Sequence, residues 1–338
     1  MKCTVNYLLA ALTMTVGAVA LSALTAFAGW QNVTPTGYSA YDFTGIWQYG
    51  DNLRYLSASN GYLVQNNGSL IHNNGSTTWS SKKSPTNQDL LCVWGASPFS
   101  VFAASANGEL LRFDNTGWQL QNNASSLPVR SIGGIAKAQG QPGQVLLAVG
   151  DDGVFANADC WSNAWTKSYA TVASTMQGVL VSSAVSAKAG GNSGQLWQGS
   201  GAPWQSWTVG NVGSNHTVNA LWGPSDADLY AVGSSGMIWH SQNNGSTWTS
   251  MSTPTSKTLR AIWGVDAATI YAVGDTGTIL RFDGTTWTQE TSPTTADLKG
   301  VTGSGANDVT IVGTGVVLSK TVNAARAMPG ATLLLLGR

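Results

Sequence analysis

Charge is what this chain of 338 residues has least of. Charged residues make up 9%, against about 25% in ordinary soluble domains. The 16 Lys and Arg balance the 16 Asp and Glu, so formal net charge is zero. That balance excludes a broad basic face for nucleic acid and a polybasic membrane patch. A hydrophobic fraction of 43% excludes a disordered chain, which needs low hydrophobicity and high net charge. Beyond the first 28 residues, Glu109 and Glu290 are the only glutamates, and the whole chain has three histidines and three cysteines. No structural zinc site can be built from so few cysteines and such scattered histidines. Helix-period stretches are absent after residue 28. What is abundant is glycine, at 40, and tryptophan, at 15: many turns and a recurring packing anchor.

The N-terminus reads as a secretory signal, residues 1–28. Lys2 supplies the positive start, an apolar stretch runs from Tyr7 to Leu24, and Ala26-Phe27-Ala28 fits the small-x-small cleavage rule. Export permits a disulfide between Cys92 and Cys160. Cys92 also aligns with Ala220 and Ala261 of sister repeats, which marks a small strand position.

From Trp30 onward the chain is an array of repeats. Residues 259–287 read L-R-A-I-W-G-V-D-A-A-T-I-Y-A-V-G-D-T-G-T-I-L-R-F-D-G-T-T-W, and residues 218–248 repeat the pattern with V-N-A-L-W-G, D-L-Y-A-V-G, M-I-W-H and N-N-G-S-T-W. A further copy runs from Leu91 to Trp118, and weaker ones open at Gly45, Arg130, Gln177 and Leu298. Alternating β-branched and aromatic residues, broken by D-G and N-G turns, give each unit four short strands. The last copy lacks a fourth-strand tryptophan, and Trp30-Gln31-Asn32-Val33-Thr34-Pro35-Thr36 resembles the fourth-strand segment from Trp248 to Thr255. Fourth-strand tryptophans then fall at Trp30, Trp79, Trp118, Trp165, Trp207, Trp248 and Trp287. The expected fold is all-β: a seven-bladed β-propeller over residues 29–320, its last blade completed by the N-terminal strand. Stacked blades bury faces that one small sheet cannot bury alone, and closure hides two edges open to aggregation.

Two segments carry a family resemblance. Ser241-Gln242-Asn243-Asn244-Gly245-Ser246-Thr247-Trp248 and His72-Asn73-Asn74-Gly75-Ser76-Thr77-Thr78-Trp79 resemble the Asp-box (BNR-type) hairpin S-x-D-x-G-x-T-W, with Asn for Asp at Asn243 and Asn73. Asp283-Gly284-Thr285-Thr286-Trp287 is a shortened form. The repeat as a whole resembles secreted bacterial propellers of the broad WD40/YVTN/BNR-like superfamily, including the photosystem II assembly-factor type. The resemblance implies a structural role for Asn73, Gly75, Trp79, Ser241, Asn243, Gly245, Trp248, Asp283, Gly284 and Trp287: a polar side chain caps the turn and the indole packs in the blade. Sialidases share the hairpin, but they need a trio of arginines and a Tyr–Glu pair. Here Arg112 and Arg281 recur at one repeat position with His72 and His240, which is the mark of a strand position.

No G-x-S-x-G motif occurs, so an activated serine has no support. The acidic turn Gly150-Asp151-Asp152-Gly153 offers too few oxygens for calcium, which wants six to eight. No metal and no cofactor are expected. The loops entering each first strand and joining second to third strands should share one propeller face. Lys82, Lys83, Asp151, Asp152, Lys188, His216, Lys257 and Asp275 are placed there as candidate binding residues, since binding groups favour loops on rigid scaffolds. Residues 321–338 form a tail that resembles a sorting segment, although its apolar run is far shorter than the ~20 residues a membrane helix needs. The expected function is that of a non-enzymatic, exported binding or scaffold protein with a protein or glycan partner, and with no stable membrane span in the mature chain. The alternatives are a carbohydrate-binding lectin with exposed tryptophans, an assembly chaperone of the photosystem II type, and a sialidase-like hydrolase.

Overall fold

A computed structural model describes residues 29–320 apart from 35–36, 50–52, 60–68, 74–79, 84, 98–99, 114–115, 122–124, 136–144, 158–164, 170–174, 184 and 202–205. At residues 49, 53–59, 69–73, 80–83, 157 and 169 only the backbone is described. The expected signal, residues 1–28, and the tail, residues 321–338, lie outside the described residues, as do Cys160, Gly75 and Trp79. Residues 30–321 form one compact unit.

The strands, in chain order, are β1 (Gln31–Asn32), then β2 (Asp42–Tyr49), β3 (Leu53–Ser59), β4 (Ser69–Asn73) and β5 (Ser80–Lys83). Next come β6 (Leu90–Ser97), β7 (Ser100–Ser105), β8 (Leu110–Phe113) and β9 (Trp118–Leu120), followed by β10 (Val129–Ile135), β11 (Val145–Gly150), β12 (Gly153–Asn157) and β13 (Thr166–Tyr169). The second half holds β14 (Met176–Ser183), β15 (Ser186–Gly191), β16 (Gln195–Ser200), β17 (Ser206–Asn211), β18 (Val218–Trp222), β19 (Leu229–Gly233), β20 (Ile238–Ser241) and β21 (Thr249–Ser250). The chain finishes with β22 (Leu259–Asp266), β23 (Thr269–Gly274), β24 (Ile279–Phe282), β25 (Trp287–Gln289), β26 (Leu298–Gly305), β27 (Asp308–Gly313) and β28 (Val316–Ser319). They pair antiparallel in four-stranded sheets: β2–β5, β6–β9, β10–β13, β14–β17, β18–β21, β22–β25, and β26-β27-β28 completed by β1. Their first strands touch in a closed circuit, β2 to β6, β10, β14, β18, β22, β26 and back to β2.

The blades are not all alike. Six sheets join their second and third strands through a turn that holds a left-handed glycine, at Gly108, Gly153, Gly194, Gly236, Gly277 and Gly315. The sheet β2–β5 connects those strands through residues outside the described set. That connection, residues 60–68, is nine residues long, against two to four in the other six sheets. The expectation of a seven-bladed propeller is corrected accordingly: six blades are of the repeat's own type, and β2–β5 is a divergent sheet between β26 and β6.

The motif V-G-x-x-G has a steric cause. A Cβ at Gly274 would stand 2.0 Å from the Thr258 carbonyl oxygen, and one at Gly277, whose φ is +70°, would stand 2.0 Å from the Thr294 oxygen. Backbone from the loop entering each first strand passes against the turn, so only glycine fits. The contact is also a hydrogen bond: the Asp275 amide donates to Thr258 O at 2.9 Å, and the Ser234 amide to Thr217 O at 3.0 Å. These bonds tie the two loop sets of one face together.

The core lies in the seams between sheets. Tyr230, Ile270, Phe282 and Trp287 share one apolar cluster, and Phe102, Leu146, Phe155 and Trp165 another. Ring closure adds a polar clasp. β1 pairs with β28, Gln31 opposite Ser319. Trp30 packs edge-on against Tyr271 with centroids 5.8 Å apart, and its indole N–H donates to Glu290 Oε2 at 2.7 Å. The Lys320 ammonium donates to both Glu290 oxygens at 2.6 and 2.8 Å and lies 5.5 Å from the Trp30 ring centre and 5.2 Å from that of Tyr271. Both ends of the propeller meet on one glutamate.

Candidate functional site

Each first strand carries a buried apolar residue at its first or second position and then bulges by one residue. The register breaks fall at Thr44, Leu91, Arg130, Gln177, Asn219, Arg260 and Lys299. The residue before each is fully or almost fully buried: Phe43, Leu90, Val129, Met176, Val218, Leu259 and Leu298. A bulge re-aims the extra side chain and is common next to binding sites. Here it sets a ring of residues at the start of the first strands, on the face where the glycine turns lie.

Most of these side chains hold the ring together. Arg130 grips its own blade's turn, with Nε to Asp151 Oδ1 at 2.8 Å and Nη2 to Oδ2 at 3.0 Å. Arg260 pairs with Asp275 in the same way through Nε. Lys299 reaches the neighbouring sheet, its ammonium 2.5 Å from Asp42 Oδ2, while Thr314 Oγ1 donates to Asp42 Oδ1 at 3.0 Å. Asn219 donates to Leu259 O at 2.7 Å and Thr44 to Leu90 O at 2.6 Å, each crossing to the next blade. Hydrogen bonding from the Arg130 guanidinium holds the Asp151 carboxyl below its ordinary value, against a smaller opposing effect of burial. Arg130 and Arg260 keep 34% and 41% of their side-chain surface and Lys299 keeps 25%, so the cations remain reachable from solvent.

The sequence-derived candidates divide. Asp151, Asp152 and Asp275 sit in second-to-third-strand turns, and His216 and Lys257 in loops entering first strands. The three acids are engaged: Asp152 takes Lys167 Nζ at 2.6 Å and Ser125 Oγ at 3.2 Å. His216 Nδ1 lies 2.7 Å from Ser214 Oγ, and Lys257 is exposed. Lys82 and Lys83 fall in β5, the outermost strand of its sheet, not in a loop. Lys188 lies inside β15 and is 3% exposed. Sequence reasoning missed Arg130, Arg260, Lys299 and Asp42. The signal was present, as one polar residue after the buried apolar position of every first strand but β6, where Leu91 stands, in L-R-A-I-W, V-N-A-L-W and L-K-G-V.

The hairpins close on themselves. In Ser241–Trp248, Asn243 Oδ1 accepts from the Thr247 amide at 2.9 Å and from Ser241 Oγ at 3.0 Å. Asn243 Nδ2 donates to Thr247 Oγ1 at 2.8 Å, the Gly245 amide to Ser241 Oγ at 3.0 Å, and the Trp248 indole to Gly245 O at 3.0 Å. In the shorter hairpin Asp283 Oδ1 accepts from the amides of Thr286 and Thr285 at 2.8 and 2.9 Å. Those bonds, the Thr286 amide first, hold its carboxyl far below the usual range. Gly284 takes φ +96° there, and Trp287 packs on Phe282 with centroids 5.1 Å apart. The equivalent side chain of Asn73 is outside the described residues. Trp30, Trp165 and Trp287 are buried, so these fourth-strand indoles offer no stacking surface to a sugar.

Cys92 lies in β6 opposite Ala104 and is a free thiol. Part of the residue shows at the surface, but the sulfur is enclosed, and burial pushes the thiol up to about 12 against weaker opposing bonds with the Ala104 and Ile132 backbone. Among the described residues no cluster of His, Cys, Asp and Glu could hold a metal, and no helix is long and apolar enough to cross a membrane.

No protein-family model matches this chain, and no curated protein matches it. Solved structures do. The chain is similar to YCF48 from Cyanidioschyzon merolae, with TM-score 0.64 and 15% identity over 87% of this chain and 99% of that one. It is similar to a YCF48 bound to D1 peptide, with TM-score 0.66 and 16% identity over 86% and 96% of the two chains. A third is the WD40 β-propeller domain of Doa1, with TM-score 0.66 and 12% identity over 87% and 97%. At such identities the likeness establishes the fold: this chain is a β-propeller.

Proposed function

We propose that this chain is an exported, non-enzymatic propeller that binds a protein segment on the face ringed by the bulged residues. The observation that carries the reading is the ring itself. One structural device, repeated at the start of every first strand, brings Arg130, Arg260 and Lys299 together on one face with Gln177 and Asn219. Each of the three cations is already charge-paired and partly exposed. An acidic segment can therefore exchange with Asp151, Asp275 and Asp42 without leaving a buried charge unpaired, which is the costly outcome. Carboxylates tied to cations are poorly placed for acid–base chemistry, which needs a proton free to move near working pH. A YCF48 structure bound to a peptide supports a protein partner for a propeller of this shape. The apolar N-terminal stretch and Ala26-Phe27-Ala28 support export.

The test is a fluorescence-anisotropy screen of acidic, neutral and basic peptides against the wild type and the Arg130→Ala/Arg260→Ala/Lys299→Ala variant. Binding of acidic peptides that weakens at least tenfold in the variant supports the reading. Equal binding by both proteins, or a preference for basic peptides, overturns it. Export is read separately, by fractionation and N-terminal sequencing: a chain beginning at Gly29 outside the cytoplasm is expected, and an uncut intracellular chain refutes it.

A further inference from the structure

The sheet β14–β17 carries a charge at a cross-strand pair that is uncharged in its six sisters. In four blades that pair is a tryptophan on the first strand facing an aromatic on the second: Trp47 with Tyr55, Trp94 with Phe102, Trp222 with Tyr230, and Trp263 with Tyr271; β10–β13 has Gly133 with Leu147 there, and the closing blade has Thr302 with Thr310. The rings of Phe102, Tyr230 and Tyr271 are at most 3% exposed and fill the seam to the next blade, where Tyr230 meets Phe282 at 5.9 Å. In β14–β17 the same register position reads Leu180 with Lys188. A lysine stands where four blades carry a ring and the other two carry Leu147 and Thr310.

The space remains. A cavity of about 150 Å³ opens in the same seam, lined by Lys188, Trp197, Gln198 and Thr208 of this blade and by Gly245 and Trp248 of the next. A cavity of roughly that volume holds one benzene ring. Lys188 is 3% exposed, and among the described residues its ammonium finds only a long contact, 3.5 Å, to Ser186 Oγ. Among the described residues it forms no salt bridge. Asp226 acts on it electrostatically from beyond ion-pair distance, and desolvation outweighs that influence and lowers the amine's affinity for its proton. A buried ammonium whose carboxylate stands beyond ion-pair distance is costly, and local violations of a fold's own pattern concentrate at functional sites.

We infer that this seam is a binding site for a small aromatic carboxylate of the benzoate type. The ring takes the place of the missing side chain between the two blades, and its carboxylate pairs with the Lys188 ammonium. Gln198 and Thr208 are at hand for a hydroxyl or amide on the ring. The site is separate from the bulge-ring face and does not rest on the reading given for it.

Isothermal titration of the full chain with benzoate, benzamide, acetate and glucuronate tests the assignment. Benzoate should bind at least tenfold more tightly than benzamide, which lacks the charge, and than acetate, which lacks the ring. Lys188→Met should abolish the preference for benzoate over benzamide. Lys188→Tyr restores the side chain of the sister blades, so it should abolish binding and raise the melting temperature. The Arg130→Ala/Arg260→Ala/Lys299→Ala variant should bind benzoate as the wild type does. Equal affinity for benzoate and benzamide, equal affinity for benzoate and acetate, tighter binding of glucuronate, no binding of benzoate, or unchanged binding by Lys188→Met would each overturn it.

Discussion

Glu290 joins the two ends of the propeller, and removing it measures what closure contributes. Its carboxylate accepts from the Trp30 indole on the N-terminal side and from Lys320 beyond β28, at 2.6 to 2.8 Å. Charge-assisted bonds of this kind are worth about 1.5–3 kcal/mol each where water is excluded. Breaking a fully buried pair costs about 3–5 kcal/mol because the partner is stranded. Here Lys320 and Glu290 keep 19% and 21% of their side-chain surface, so water recovers part of the loss. Glu290→Ala should therefore cost about 2–3 kcal/mol. Glu290→Gln, which keeps an acceptor for the indole and loses only the charge, should cost about 1 kcal/mol. Urea titration reads both, at unchanged slope if the transition stays two-state. Hydrogen exchange adds a local signature: the Val33 amide, bonded to Val317 O at 2.8 Å, should lose protection in the alanine variant before the other blades do. An alanine variant within about 0.5 kcal/mol of the wild type, with Val33 still protected, would refute the claim that this cluster holds the ring shut.

Gly277→Ala places a methyl 2.0 Å from Thr294 O at φ +70°. It should cost about 3 kcal/mol or more, while Gly305→Ala, with nothing within 4 Å of its Cβ, should stay within about 0.5 kcal/mol; equal melting curves would contradict the backbone-contact account of the repeat. The Asp151 carboxyl is lowered in the folded chain, so the stability it contributes is full above the unfolded value of about 3.9 and is lost as pH falls through the folded value. A carbon-detected titration should show Asp151 moving back toward the ordinary value in Arg130→Ala, and no movement would show that the guanidinium is not the cause. With its thiol raised to about 12, Cys92 in a Cys3→Ser/Cys160→Ser chain should resist alkylation at pH 8 until urea is added, since the thiolate is the reactive form; labelling at the unfolded rate in native buffer would argue against an enclosed sulfur.

The sequence alone determined the repeat, its four-stranded unit and the closing strand, because these rest on local chemistry: alternation along strands, turn residues at fixed offsets, and a tryptophan per unit. The match between Trp30–Thr36 and Trp248–Thr255 already predicts that the N-terminus completes the last sheet, and β1 pairs with β28. The hairpin at Ser241–Trp248 was legible for the same reason, since its bonds all run within eight residues. The candidate face was half legible. Loop membership placed Asp151 and Asp275, but their partners Arg130 and Arg260 sit in strands, 21 and 15 residues away along the chain. Only register shows that a bulge turns those side chains toward the loops. Lys82 and Lys83 were misplaced because, although the Asn74-Gly75 turn signal marks where the fourth strand begins, Ser80-Ser81-Lys82-Lys83 holds no apolar residue to mark it as strand. Lys188 passed for a loop charge because a lysine in sequence looks solvated. The pairing of β14 with β15 shows that it occupies the place of Tyr230 and Tyr271, and the seam between two blades, which no single repeat contains, shows that the place is buried and incompletely filled. Repetition along the chain fixes what each blade is, whereas contact between blades, which joins residues far apart in sequence, decides which positions are exposed, paired or empty.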